Sequence, residues 1–178
     1  MPRAEGILIA GGYGEVGKQI AGDLAPDYPG RVIVGGRDES QALALAEALG
    51  NGTRALRLDI DDPASVGAAL RGMSLVINCI DQREPHLLHA TIARSLAYTD
   101  ITAHLTFWRT ALALDAEARQ SGARILLGAG LLPGITNVLA RAGAERVGWG
   151  EERADVGAAE SGRFVRAGGA RLHAGHRC

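Results

Sequence analysis

Short apolar runs, each closed by a turn rich in glycine, asparagine or aspartate, recur through the first 127 residues and alternate with stretches of helical period. The strand candidates are 7–10, 31–34, 53–58, 75–78, 97–101 and 124–127, most of them short apolar runs, as expected of strands buried on both faces of a parallel sheet. The stretches between them carry readable ends. A helix is expected to begin near Gly14. Asp38 can cap a helix at 39–49 that Gly50 stops, and Asp62 before Pro63 opens one at 63–70 with Gly72 just beyond. Pro85 opens 85–96, and 106–120 reads as one longer amphipathic helix stopped by Gly122. Pro133-Gly134 then breaks the chain before a last helix at 135–146, expected to cover the sheet.

Alternation of this kind predicts the α/β class: a doubly wound parallel sheet, Rossmann-like, with right-handed crossovers and a ligand crevice at the carboxyl ends of its strands. The first turn says which ligand. Ile7-Leu8-Ile9-Ala10 runs directly into Gly11-Gly12-Tyr13-Gly14-Glu15-Val16-Gly17. Glycines between a strand and a helix allow a tight turn, close approach of backbone to a pyrophosphate, and close packing of helix on strand. All seven residues from Gly11 to Gly17 are therefore candidate cofactor contacts. A triphosphatase loop is excluded by chemistry. Gly12, Gly17 and Lys18 fit its spacing, but position 19 is Gln where a magnesium-binding hydroxyl is needed.

The chain has 178 residues, room for one full domain and too few for two of ordinary size. A net charge of −1 gives no reason to expect nucleic acid or an anionic membrane as partner. Cys79 and Cys178 lie far apart, which argues against a disulfide framework and suits a reducing, cytoplasmic setting. Met1-Pro2-Arg3 leads at once into the first strand, so no signal peptide is expected, and no apolar run approaches the ~18 residues of a membrane span. Beyond Trp149 the pattern dissolves: 150–178 hold five arginines and six glycines with neither period. The expected organisation is a dinucleotide-binding domain over 1–147, followed by an irregular tail or the truncated start of a second domain over 148–178.

Cofactor choice is read at the end of the second strand, Val34-Gly35-Gly36-Arg37-Asp38. NAD-specific folds place an acid there, about 20 residues past the glycines, for the ribose 2′-hydroxyl. Here Gly36 falls at that place and Arg37 follows, which suits a 2′-phosphate and argues for NADP over NAD. Asp38 is the alternative ribose ligand, or a simple helix cap. Asp59 ends the third strand, either near the adenine or as a turn acid. Asn78, Cys79 and Ile80 end the fourth, where the chain should pass the pyrophosphate and nicotinamide ribose. Nothing around Cys79 marks it as a nucleophile.

His86/His89 and His173/His176 are spaced H-x-x-H, yet neither has the thiolates or spacing of a zinc site, so no metal is expected. Tyr98-Thr99-Asp100 ends the fifth strand on the ligand side. Asp100 and His104 are thus the titratable candidates near a substrate, though each fits equally as a satisfied loop residue. The Tyr-x-x-x-Lys pair of short-chain dehydrogenases is absent, because Lys18 is the only lysine.

Three segments together, the glycine run 11–17, Ala97-Tyr98-Thr99-Asp100, and Gly128-Ala129-Gly130-Leu131-Leu132-Pro133-Gly134-Ile135-Thr136-Asn137, resemble the NADP-binding domain of the saccharopine dehydrogenase-like family over roughly 1–147. The resemblance implies an NAD(P)-dependent oxidoreductase of small-molecule amines and imines, or its isolated cofactor domain. It also implies a second α/β domain after the Pro-Gly segment that supplies substrate contacts and dimerises, hence a possible homodimer. A non-catalytic dinucleotide-sensing module and an extended short-chain-type reductase or epimerase are the alternatives.

Overall fold

A computed structural model of the chain describes residues 5–130 and 134–146. The parts of the expected tail and of the Pro-Gly segment at 131–133 and 147–178 lie outside the described residues. Six strands, β1 (Gly6–Ala10), β2 (Val32–Gly36), β3 (Arg54–Arg57), β4 (Met73–Asn78), β5 (Ala97–Asp100) and β6 (Arg124–Leu126), form one all-parallel sheet in the order β3-β2-β1-β4-β5-β6. Between them run α1 (Glu15–Asp27), α2 (Glu39–Leu49), α3 (Pro63–Ala69), α4 (His86–Ile92), and the pair α5 (Leu105–Ala113) and α6 (Asp115–Ser121). The chain winds outward from β1 to β3, then returns to start a second half at β4. β1 and β4 thus mark the switch point, where crevices for ligands open in such sheets.

Strand alternation divides the core in two. Leu8, Ile33, Val76 and Tyr98 point to one face and meet Val66, Leu87, Leu88, Ile92 and Phe107 from α3, α4 and α5. Ile7, Ile9, Val32, Val34 and Ile77 point to the other and meet Ala21 of α1 and Ala42 of α2. Leu8 and Ile9 are fully buried, each contributing about 1.5–3 kcal/mol. Alanines on α1 and α2 let both helices sit close to the strands.

Two helix ends follow their sequence signals closely. The Asp38 carboxylate accepts from the Ser40 and Gln41 N–H groups at 3.0 and 3.2 Å, and that of Asp62 accepts from the Ala64 N–H at 2.9 Å. One expectation is corrected. The stretch 106–120 is two helices meeting at Leu114, and no glycine or proline announces the break, so periodicity reads straight through it. The last helix is α7 (Ile135–Arg146). No helix among the described residues is long and apolar enough to cross a membrane.

Candidate functional site

The β1–α1 turn is built almost entirely from backbone. Gly11 takes φ +74°, a conformation side chains disfavour, and the N–H groups of Gly11 and Gly12 both donate to the Gly35 carbonyl at 2.8 and 3.1 Å. On the other side, the Cys79 N–H donates to the Ala10 carbonyl at 2.9 Å, so the turn is held between β2 and β4. A Cβ on Gly17 would lie 2.7 Å from the Gly12 Cα and would run into the Gly11 carbonyl, which is how α1 comes to sit directly on the turn.

Gly14 is different. Its backbone (φ −71°, ψ 171°) suits any residue, and a Cβ there would have only the Gly11 carbonyl nearby, at 3.2 Å. The backbone at 14 does not demand glycine, although a Cβ would press on the Gly11 carbonyl oxygen; beyond that contact the space beside it is open. No side chain caps α1, so its first N–H groups remain for an anion. Glu15 in that first turn would oppose one, but Lys18 pairs with it at 2.7 Å on the exposed face.

At the β2 corner, Gly36 is the last, buried residue of the strand, and the Tyr13 ring lies across it. The Tyr13 hydroxyl accepts from the Asp38 N–H at 3.2 Å. Arg37 is exposed and joins no ion pair among the described residues. The Asp38 carboxylate is committed to α2: besides the two backbone donors, its second oxygen accepts from Gln41 Nε2 at 2.8 Å. These bonds, the Gln41 side chain first, hold it below its usual range. Asp59 also works locally, its carboxylate accepting from the Asp61 N–H at 3.1 Å while its own N–H donates to Ser65 Oγ at 2.9 Å.

Across the switch point the chemistry moves into side chains. Asn78, fully buried, clips its own loop: its amide donates to the Ile80 carbonyl at 3.0 Å and accepts from the Ile80 N–H at 3.2 Å. That clip holds Ile80 against the turn, where a Cβ on Gly11 would meet its side chain at 2.9 Å. Burial pushes the Cys79 thiol up to about 11, so it stays protonated and is a poor nucleophile near neutrality.

The two acid–base candidates part company here. Asp100 is fully buried and does not line the cleft described below. One carboxylate oxygen accepts from the Gly128 N–H at 2.9 Å and the other from the Tyr98 hydroxyl at 3.2 Å, while its backbone carbonyl accepts from the Ala129 N–H at 2.7 Å. Burial raises its pKa above the ordinary carboxylate value, against the pull of those donors. The Tyr98 hydroxyl in turn accepts from Gln82 Nε2 at 2.8 Å, tying the loop after β4 to β5. These bonds fasten the segment after β6 to the sheet. Period-2 spacing in β5 puts Tyr98 and Asp100 on one face, a signal that sequence reading had available and did not use.

His104 is exposed at the start of α5. Its Nε2 lies 2.8 and 3.0 Å from the two carboxylate oxygens of Asp81, a partner that sequence reading missed because 23 residues separate them. Both line a cleft of about 310 Å³ with Cys79, Ile80, Ile101, Thr102 and Ala103, at the carboxyl ends of β4 and β5. The cleft and the glycine turn share Cys79 and Ile80 as a common wall. His86 and His89, by contrast, lie 3.9 Å from Asp61 and 3.5 Å from Glu117 respectively, and no metal-holding group of three exists among the described residues. His173 and His176 lie outside them.

Residues 7–126 match the family model of the saccharopine dehydrogenase NADP binding domain. The fold is shared with a saccharopine dehydrogenase (L-Glu forming) of Saccharomyces cerevisiae, at TM-score 0.70 and 24% identity over 82% of this chain and 32% of that one. Similar at greater distance are a triphenylmethane reductase of Citrobacter sp. complexed with NADP(H) (TM-score 0.55, 16% identity, 68% and 48% covered) and an NADPH-dependent quinone oxidoreductase of Escherichia coli (TM-score 0.50, 23% identity, 68% and 46% covered). No curated protein matches the chain. The chain thus spans about a third of the yeast enzyme's length. NADP, the cofactor in the family's description, agrees with the expectation from Gly36 and Arg37. With the matched residues running from the first strand to the last, the chain belongs to the saccharopine dehydrogenase NADP binding domain family.

Proposed function

We propose that the chain is the cofactor-binding domain of an NADP-linked oxidoreductase that interconverts a small-molecule secondary amine and its imine, in a cytoplasmic setting. The observation that carries this reading is Gly14: a glycine its backbone conformation does not demand, placed beside an uncapped helix start, where a side chain would exclude a diphosphate. The turn residues 11–17 then hold the diphosphate, Arg37 the 2′-phosphate, and Asn78, Cys79 and Ile80 the wall toward the nicotinamide ribose. Asp59, with its carboxylate engaged in its own turn, bounds the adenine end.

NADP supplies or accepts the hydride when bound. The proton that must reach the substrate nitrogen belongs to His104, at the rim of the neighbouring cleft. Asp81 accepts from its Nε2–H and so fixes the ring, leaving Nδ1 to exchange a proton with substrate. Asp100 supports this edge from beneath without meeting substrate. The second α/β domain that the family resemblance implies would complete the substrate site and any homodimer contact.

Fluorescence titration with NADPH and NADH tests the cofactor reading. The wild-type chain is expected to prefer NADPH, and Gly14→Val to lose binding of both while keeping its circular dichroism spectrum. Unchanged NADPH affinity in a folded Gly14→Val variant would overturn the assignment.

A further inference from the structure

The β2 corner contains a selection device that the glycine pattern alone does not announce. A carboxylate could meet a ribose 2′,3′-diol here from position 36, where this chain has glycine, or from Asp38. The Tyr13 ring occupies the place beside Gly36: a Cβ there would lie 2.8 Å from Cζ and 3.0 Å from the hydroxyl oxygen, so a side chain would have to move the ring aside. Asp38 already has three donors on its carboxylate, all from the first turn of α2. The ring beside Gly36 also brings its hydroxyl to the Asp38 N–H, at 3.2 Å, one residue from the exposed Arg37.

That hydroxyl accepts one hydrogen bond and gives none among the described residues, so its proton is left for an outside acceptor. A diol has a carboxylate partner in NAD-specific folds, and here meets only Asp38, which already accepts three hydrogen bonds. A phosphate monoester brings oxygens that accept from a hydroxyl and from a guanidinium at once.

We infer that Tyr13 and Gly36 act as a pair that selects the 2′-phosphorylated cofactor, the ring lying where a diol's carboxylate partner would stand and the hydroxyl donating to the 2′-phosphate beside Arg37. This rests on the NADP-binding reading above and goes further in assigning the discrimination to Tyr13. Arg37 contributes attraction for the phosphate; Tyr13 and Gly36 remove the means of holding its absence.

The test is equilibrium titration of the full chain with NADPH, NADH, 2′,5′-ADP and 5′-AMP. Tyr13→Phe keeps the ring over Gly36 and removes only the hydroxyl. It is expected to weaken NADPH and 2′,5′-ADP about tenfold, the scale of one charge-assisted hydrogen bond, and to leave NADH and 5′-AMP unchanged. The double variant Tyr13→Ala/Gly36→Asp opens the space and supplies the carboxylate, and is expected to reverse the preference toward NADH. Equal loss of both cofactors in Tyr13→Phe, or unchanged NADPH affinity, would overturn the role given to Tyr13. A wild-type chain that binds none of the four probes would instead defeat the cofactor reading itself, which separates the two failures.

Discussion

The two sides of the switch point solve the same problem in opposite ways. The β1–α1 turn positions its groups by leaving side chains out. Gly11, Gly12 and Gly17 let the turn pack closely, and Gly14 leaves open space beside the start of α1. The β4–β5 edge positions its groups by putting side chains in. Asn78 clips its own loop, and Gln82, Tyr98 and Asp100 form a buried chain that reaches Gly128. The first arrangement is broken by adding atoms, the second by deleting them. Under the proposed function the division follows the chemistry: binding a diphosphate calls for backbone N–H groups in close approach, whereas handling a proton calls for a titratable group held in place.

The sharpest way to break the comparison is on the glycine side. Gly17→Val drives a side chain into the Gly11 carbonyl and Gly12 Cα, and is expected to cost more than ~3 kcal/mol, since neither backbone can yield cheaply. Gly14→Ala is expected to cost far less than Gly17→Val in urea unfolding, because its backbone is already ordinary and only the Gly11 carbonyl oxygen, at 3.2 Å, must give way. Similar losses for the two would show that the turn does not separate folding from binding.

On the opposite side, Asp100→Ala strands two buried donors, the Gly128 N–H and the Tyr98 hydroxyl, at an expected cost of about 2–4 kcal/mol. Asp100→Asn can still accept from one of them and should cost less. The pH dependence has a definite sign. Because burial raises the Asp100 pKa in the fold, the native state holds that proton more tightly than the unfolded chain does. The stability this contributes is fully present below the ordinary carboxylate pKa and is lost as pH rises through the raised native value. The Asn variant, which does not titrate, should therefore gain on wild type as pH rises above the ordinary carboxylate pKa. A difference that stays constant as pH rises would place no burial cost on Asp100.

The exposed pair at the cleft should affect turnover and little else. With substrate and NADPH supplied, His104→Ala is expected to lower kcat by about 10²-fold, as for loss of a positioned acid–base group. Its melting temperature should hardly move, because an ion pair this exposed contributes only ~0–1 kcal/mol. Asp81→Asn should fall between wild type and His104→Ala in kcat. Unchanged turnover in His104→Ala would move the proton path elsewhere.

The smallest effect sharpens the β2 corner. Asp38→Ala should cost about 1 kcal/mol through the lost cap of α2. It should leave the ratio of NADPH to NADH affinity where it was, since its carboxylate serves the helix. A changed ratio would return Asp38 to the list of ribose ligands.

Much of this was legible in the amino-acid sequence because it depends on neighbours along the chain. Burial of β1, β2 and β4 shows as apolar runs, while the edge strands β3 and β6 have no buried residue; the caps of α2 and α3 show as Asp38 and Asp62, and the first turn as glycine between strand and helix. All of these are decided within a few residues, by backbone geometry and local hydrogen bonds. What the sequence left open are pairings between residues that the sheet order brings together. Asp81 meets His104 because β4 and β5 are adjacent, and Asp100 is withdrawn from the cleft because the segment after β6 supplies a donor at Gly128. Tyr13 lies over Gly36 because β1 and β2 run side by side in register, which turns a missing acid into a filled space. Spacing along a chain says nothing of contacts made 23 to 28 residues away; the parallel order of the strands decided those.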